Sequence, residues 1–334
     1  MFLVTGATGR LGGCVVRLLR QAAMDVRALV RPGSEYFWLN DTGCDYFFGD
    51  LRQARSLSRA CRGVRYVVHA AGIEVESTDN HHSVVTLQGT IDLIDAAVKR
   101  GIEHFVMFSC VGADRGFANP HFDCLGKAEE HLVASGLRYT ILRCPAFTED
   151  LAESARLLAE GKPWRMWGSP DGRIAPLSRR DAAIFALVSL DKAHDRILDL
   201  GGPESLSTEQ AVARACAAAG AQPTQVQWFG GVKSKAAGLA ARALGRRWKH
   251  WIERQALLYG QDLAVDGPAL ASSLGLPLTP LDQALAEHLA AERLGADPED
   301  REERVVHRQF QATVYSPGEG AWDDLPEGPL REVD

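Results

Sequence analysis

The 334-residue chain reads as an α/β protein, a doubly wound parallel sheet with a smaller C-terminal region over its carboxyl edge. Three observations predict this. The first 145 residues alternate short, nearly all-apolar strands with helix-period stretches. A glycine-rich turn joins the first strand to the first helix. The composition, 46% hydrophobic and 24% charged, is the ordinary globular mix and excludes a disordered or fibrous chain.

The elements follow in order. Phe2-Leu3-Val4 is an apolar strand, and after the turn Leu11, Val15, Leu18 and Leu19 recur at helical spacing. Residues 26–30 and 45–48 are the second and third strands. Residues 53–61 form a short helix ended by Gly63, and residues 64–69 the fourth strand. From Ser83 to Arg100 runs one long helix, with Leu87, Ile91, Ile94 and Val98 on one stripe and Gly101 as its C-cap. A fifth strand over 104–109, a helix over 123–135 and a sixth strand over 139–142 complete the pattern. The second half predicts a helix over 147–161, a buried helix beginning at Arg180, a strand over 197–201 and a helix start at Ser207-Thr208-Glu209-Gln210. These divide the chain into a core over 1–145, a C-terminal region of the same domain over 146–294 and a tail over 295–334.

Charge separates the tail from the rest. Residues 295–334 carry eleven acids against four bases, a net of −7, and read as an acidic appendage with little structure of its own. Residues 231–254 hold seven bases against Glu253, a net of +6. There Ala240, Leu244, Trp248, Trp251, Ile252 and Leu258 recur mostly at three- and four-residue steps, which predicts an amphipathic helix packing its apolar stripe on the domain. The same stretch, residues 233–258, is the candidate dock for an acidic protein partner or an anionic membrane surface. The overall net charge of −6 argues against a general nucleic-acid binder. Seven scattered cysteines without a Cys-x-x-Cys fit reduced thiols in a cytoplasm. Neither a membrane-spanning run nor a basic lead of a signal peptide is found, so a soluble, cytoplasmic protein is expected.

The chemical signal is strongest in the first turn, Thr5-Gly6-Ala7-Thr8-Gly9-Arg10-Leu11-Gly12. A Gly-x-x-Gly-x-x-Gly run between a first strand and an amphipathic helix suits a dinucleotide. Glycine allows the sharp turn and a close approach of the pyrophosphate, and the helix N-terminus offers its N–H groups to the anion. Gly6, Thr8, Gly9, Arg10, Leu11 and Gly12 are the cofactor-binding candidates there. Arg31, at the end of the second strand, takes the place where an acid would accept the ribose 2′-hydroxyl of NAD. An arginine suits the 2′-phosphate, and Arg10 adds a second cation, so NADP(H) is favoured over NAD(H).

With these motifs the chain resembles the atypical short-chain dehydrogenases/reductases, the NmrA-like NAD(P)-binding branch with its Rossmann-type fold, over residues 1–290. The resemblance also rests on Gly49-Asp50-Leu51, His69-Ala70-Ala71-Gly72, Gly89-Thr90-Ile91-Asp92-Leu93-Ile94-Asp95-Ala96-Ala97, Gly126-Lys127-Ala128-Glu129, Ile141-Leu142-Arg143 and Leu200-Gly201-Gly202-Pro203-Glu204. It implies that Asp50 and Leu51 lie near the adenine and that Ala70, Ala71 and Gly72 flank the cofactor. It implies further that Lys127 and Ser109 are the catalytic candidates, orienting the cofactor and the acceptor, with Lys127 also holding the nicotinamide ribose. Typical members place a Tyr four residues before the Lys, so that the ammonium lowers the phenol pKa. Here that position is Asp123, a poor proton donor, read as a helix-start residue paired with Lys127. His121 is a candidate substitute acid and otherwise a loop histidine. His81-His82, with no carboxylate cluster nearby, reads as solvated rather than metal-binding. Trp164, Trp167 and Phe147 would line an apolar substrate pocket or pack in the core. Two functional readings stay open: an NADPH-dependent reductase of a small carbonyl or activated alkene, and a non-catalytic NAD(P)H-binding sensor or assembly factor.

Overall fold

The computed structural model describes residues 1–230 and 246–294, with backbone alone for 246–248 and 293–294. Its strands are β1 (Phe2–Thr5), β2 (Val26–Val30), β3 (Asp45–Phe48), β4 (Tyr66–His69), β5 (His104–Cys110), β6 (Tyr139–Cys144), β7 (Arg165–Trp167), β8 (Arg173–Ile174), β9 (Arg196–Asp199), β10 (Leu206–Ser207) and β11 (Gln227–Phe229). Seven of them form one parallel sheet in the order β3-β2-β1-β4-β5-β6-β9. The order reverses between β1 and β4, which opens a crevice at their carboxyl ends.

Alternation along each strand explains the two covered faces. Leu3, Phe105 and Met107 point into the cluster that also buries Leu57, Leu93 and Leu132. Phe2, Val4, Val106 and Phe108 point into the opposite cluster, with Val15, Leu19 and Phe185. The first face is covered by α2 (Ala54–Ala60), α3 (Gly89–Arg100) and α4 (Pro120–Ala134). The second is covered by α1 (Arg10–Gln21) and, beyond α5 (Thr148–Ala159), by α6 (Arg179–Lys192), which packs on α1.

Two expectations change here. The helix predicted from Ser83 begins instead as a π-helical turn over His82–Gln88 and becomes α-helical only at Gly89. A Cβ on Gly89 would lie 2.8 Å from Leu51 Cβ, so the chain can pass this close to the β3–α2 connection only at a glycine. The core also extends past residue 145, because β9 pairs with β6 and completes the sheet.

The remaining elements are α7 (Thr208–Ala219), α8 (Arg246–Gly260), α9 (Gly267–Leu274) and α10 (Leu281–Leu294). The reciprocal Ser207–Gln210 capping box starts α7, as its sequence predicts. Of the basic amphipathic segment, residues 231–245 lie outside the described residues, as does the acidic tail 295–334. Within α8, which packs along β7, Ile252 and Leu258 are buried against the domain. Among the described residues no helix is long and apolar enough to cross a membrane.

Candidate functional site

The turn after β1 is shaped by two glycines. Gly6 has φ +66°, and a Cβ there would lie 2.6 Å from the Ala70 carbonyl. A Cβ on Gly12 would lie 2.1 Å from Gly6 O, so only glycine lets α1 sit this close to the turn. No side chain caps α1, and its first turn holds no acid. Its leading N–H groups and the positive end of its dipole therefore suit a pyrophosphate.

Beneath the turn a buried relay ties β1, β4 and α3 together. Thr90 donates its hydroxyl proton to Thr86 O at 2.7 Å, so it accepts from His69 Nε2 at 2.9 Å. His69 Nδ1 then accepts from Thr5 Oγ1 at 2.7 Å. Burial lowers the His69 pKa to about 4, which keeps the ring neutral.

The crevice is a cleft of about 1280 Å³. Gly9, Arg10 and Leu11 line one end, Ala70, Ala71 and Gly72 the β4 side, and Ser109 its deeper wall. Arg31 stands exposed at the carboxyl end of β2, with no ion pair among the described residues, where a 2′-phosphate could reach it. Arg10 pairs with Asp150 at 3.4 Å. Asp50 and Leu51 serve the frame rather than the cleft wall. Asp50 is gripped by the Arg52 guanidinium at 2.6–3.1 Å. Burial raises its pKa, but the Arg52 hydrogen bonds outweigh this and leave it lowered. Leu51 is buried against Gly89. Thr8 is half-buried in the turn and does not reach the cleft wall.

At the deeper end Ser109 donates to Glu129, which Arg143 holds through both carboxylate oxygens at 2.6–3.1 Å. Arg143 also reaches Asp114 at 2.7 Å and Asp199 at 3.5 Å. Burial disfavours its charge, but Glu129 overcompensates and raises its pKa. With its proton committed to Glu129, Ser109 faces the cleft as an acceptor.

Lys127 is not in the cleft. The sequence match places it with Ser109, but its ammonium is exposed and pairs with Asp123 at 2.7 Å on the outer side of α4, along a separate groove. The Asp123 pairing is as expected; the inward direction of Lys127 is not. At 100° per residue, the cleft-facing positions of α4 are His121 and Leu125, with Glu129 one turn on, and Lys127 falls about 200° away from Leu125. The inward stripe was legible as Phe122, Leu125, Ala128 and Leu132, which Lys127 leaves. The two cleft positions four residues apart are thus a histidine and a leucine.

His121 is no loop histidine. It sits in the first turn of α4, where the Asn119 side chain accepts from its N–H at 3.0 Å. It lines the cleft, and burial first, then the nearby Arg254 and His82 charges, hold its pKa well below the usual value. His82 is not solvated either. It is buried, its N–H donates to Glu76 Oε1 at 3.0 Å, and burial lowers its pKa to about 4. Glu76 Oε2 meets His250 Nδ1 at 2.8 Å and so fastens α8 to the start of the π-helical turn. Among the described residues no group of His, Cys, Asp and Glu has the arrangement of a metal site. Phe147, Trp164 and Trp167 all line the cleft, together with Trp251 and Leu258 from the apolar stripe of α8.

The chain belongs to the NAD(P)H-binding family, whose domain matches residues 6–193. It is 30% identical to the NAD(P)H azoreductase of Xenophilus azovorans over 223 residues, 66% of this chain and 74% of that protein. It is 32% identical to the photosystem II assembly factor Ycf39 of Cyanophora paradoxa over 207 residues, 61% of this chain and 64% of that protein. The NADPH complex of the Escherichia coli quinone oxidoreductase QOR2 shares the fold, with a TM-score of 0.68 at 23% identity over 86% of this chain and 99% of that one.

Proposed function

We propose that the protein is an NADPH-dependent oxidoreductase that reduces a small conjugated acceptor, a carbonyl or an activated alkene. One observation carries this reading: the uncapped N-terminus of α1, over the Gly6 and Gly12 close approaches, opens into the same cleft as Ser109 and an aromatic wall. The names of two similar proteins, an NAD(P)H azoreductase and an NADPH-dependent quinone oxidoreductase, support it.

In this reading the α1 N–H groups hold the pyrophosphate, and Arg31 with Arg10 holds the 2′-phosphate. Bound NADPH supplies a hydride. Ser109, its own proton given to Glu129, accepts from an amide N–H of the nicotinamide end. Phe147, Trp164 and Trp251 exclude water and present flat apolar surface to a planar acceptor. His121, kept neutral by burial, lies in the cleft as the candidate hydrogen-bond partner of the acceptor. This reading assigns the protein to the cytoplasm, where reduced cysteines and NADPH coexist.

A second reading, a nucleotide-binding assembly factor without turnover, is favoured by one observation: Leu125 stands four residues after His121, so that face of α4 brings no ammonium to the cleft. It agrees with the similarity to an assembly factor. Titration of the purified protein with NADPH and NADH, followed by NADPH oxidation across quinones, enones and azo compounds, separates the two. Submillimolar NADPH binding with turnover supports the reductase. Binding without turnover, with a stable protein complex recovered from cells, supports the assembly factor. Absence of binding to either nucleotide removes both.

A further inference from the structure

We propose that the cleft selects aromatic ligands that carry a carboxylate or comparable anionic substituent, with Arg254 as the anion's anchor. This deepens the reductase reading and rests on it only for the identity of the ligand as a reducible acceptor.

Arg254 lies on α8, three residues after Trp251, and both line the aromatic half of the cleft. Its side chain is only 14% exposed, yet it makes no hydrogen bond among the described residues, and its Nε is buried without a partner. One carboxylate approaches it, Glu74, at 3.7 Å and itself 69% exposed. The two fully buried arginines among the described residues are matched: Arg143 by Glu129, Arg179 by Glu149 and Asp150. A largely buried guanidinium with five N–H donors, and no hydrogen-bond acceptor among the described residues, is costly unless a ligand completes it. Beside Arg254, His121 Nδ1 is likewise buried and unpartnered. The charge therefore sits in an apolar, aromatic-walled recess, away from the glycine turn that takes the phosphates. A flat ring against Trp251 and Trp164 with a carboxylate turned to Arg254 would satisfy both features.

The test uses the full chain and the non-reducible pair 2-naphthoate and 2-naphthamide, titrated by calorimetry with and without NADPH. The expected result is naphthoate binding at least tenfold tighter than naphthamide. Arg254→Gln should erase that ratio and leave naphthamide and NADPH affinities within twofold, while Arg254→Lys should retain part of it. Equal affinities in the unaltered protein overturn the proposal. So does an Arg254→Gln protein that weakens both ligands alike, or one that loses NADPH, which would assign Arg254 to the cofactor. Should Arg254→Gln fail to fold, the wild-type ratio and Arg254→Lys still decide. Because neither probe is reduced, a tenfold preference without any turnover of quinones would sink the reductase reading and leave the anion site standing.

Discussion

In the proposed reading, Arg31 is the residue on which cofactor choice turns. It is exposed and free of ion pairs among the described residues, so a 2′-phosphate meets a guanidinium that no internal partner must release. Replacing it with Ala should weaken NADPH by about 1.5–3 kcal/mol, the size of a hydrogen bond to a charged group, and change NADH affinity by less than twofold. Equal losses for both nucleotides would show that Arg31 supports the fold rather than the phosphate. Ser109 and Lys127 give the second residue-scale contrast. Ser109→Ala removes a cleft-facing acceptor and should lower kcat/KM about tenfold, a 1.4 kcal/mol effect. Lys127→Ala should leave kcat/KM within twofold, because the ammonium lies on the outer face of α4 with Asp123. Steady-state kinetics with one quinone checks both. A large Lys127 effect would mean that α4 presents another face in solution.

At the scale of elements, the β1–α1 turn is set by close approach. A methyl on Gly12 has no place, since its carbon would lie 2.1 Å from a backbone oxygen. Gly12→Ala should cost on the order of 1–3 kcal/mol of stability through overpacking, and NADPH affinity should fall at least tenfold as α1 shifts. Gly72 is the control: a Cβ there meets nothing within 4 Å and φ is not positive, so Gly72→Ala should stay within about 0.5 kcal/mol. Urea unfolding of the two variants makes the comparison, with nucleotide titration for Gly12→Ala alone. If both behave alike, steric crowding is not what holds the turn.

For the whole molecule, the buried histidines set a pH dependence. His69, His82 and His104 each have a pKa lowered to about 4, chiefly by burial, from an ordinary value of 6.5. Between those values the unfolded chain binds protons that the folded chain refuses, so stability falls as pH drops through the window. For His69 alone the loss from pH 7 to pH 5 is about 2 kcal/mol. The urea midpoint should therefore be lower at pH 5 than at pH 7. An equal or higher midpoint would contradict a neutral His69 held between Thr5 and Thr90.

The chain's own pattern determined the parallel sheet, the glycine turn and the Asp123–Lys127 pair, because each rests on spacing within a few residues. Nearly continuous apolar runs mark the strands buried on both faces, and an i, i+4 pair on a helix needs no distant partner. It also placed Arg31 at a strand end, since β2 is short and unbroken. Only the tertiary structure decided which face of α4 meets the cleft, and so exchanged Lys127 for His121 and Leu125. The reason is that helix orientation is set by packing of Phe122 and Leu132 on the sheet and by the Ser109–Glu129–Arg143 network, whose members lie up to 34 residues apart along the chain. Arg254 was hidden for the same reason. A basic residue on an amphipathic helix looks solvated until α8 folds back over β7 and carries it into an aromatic wall more than a hundred residues away from Ser109.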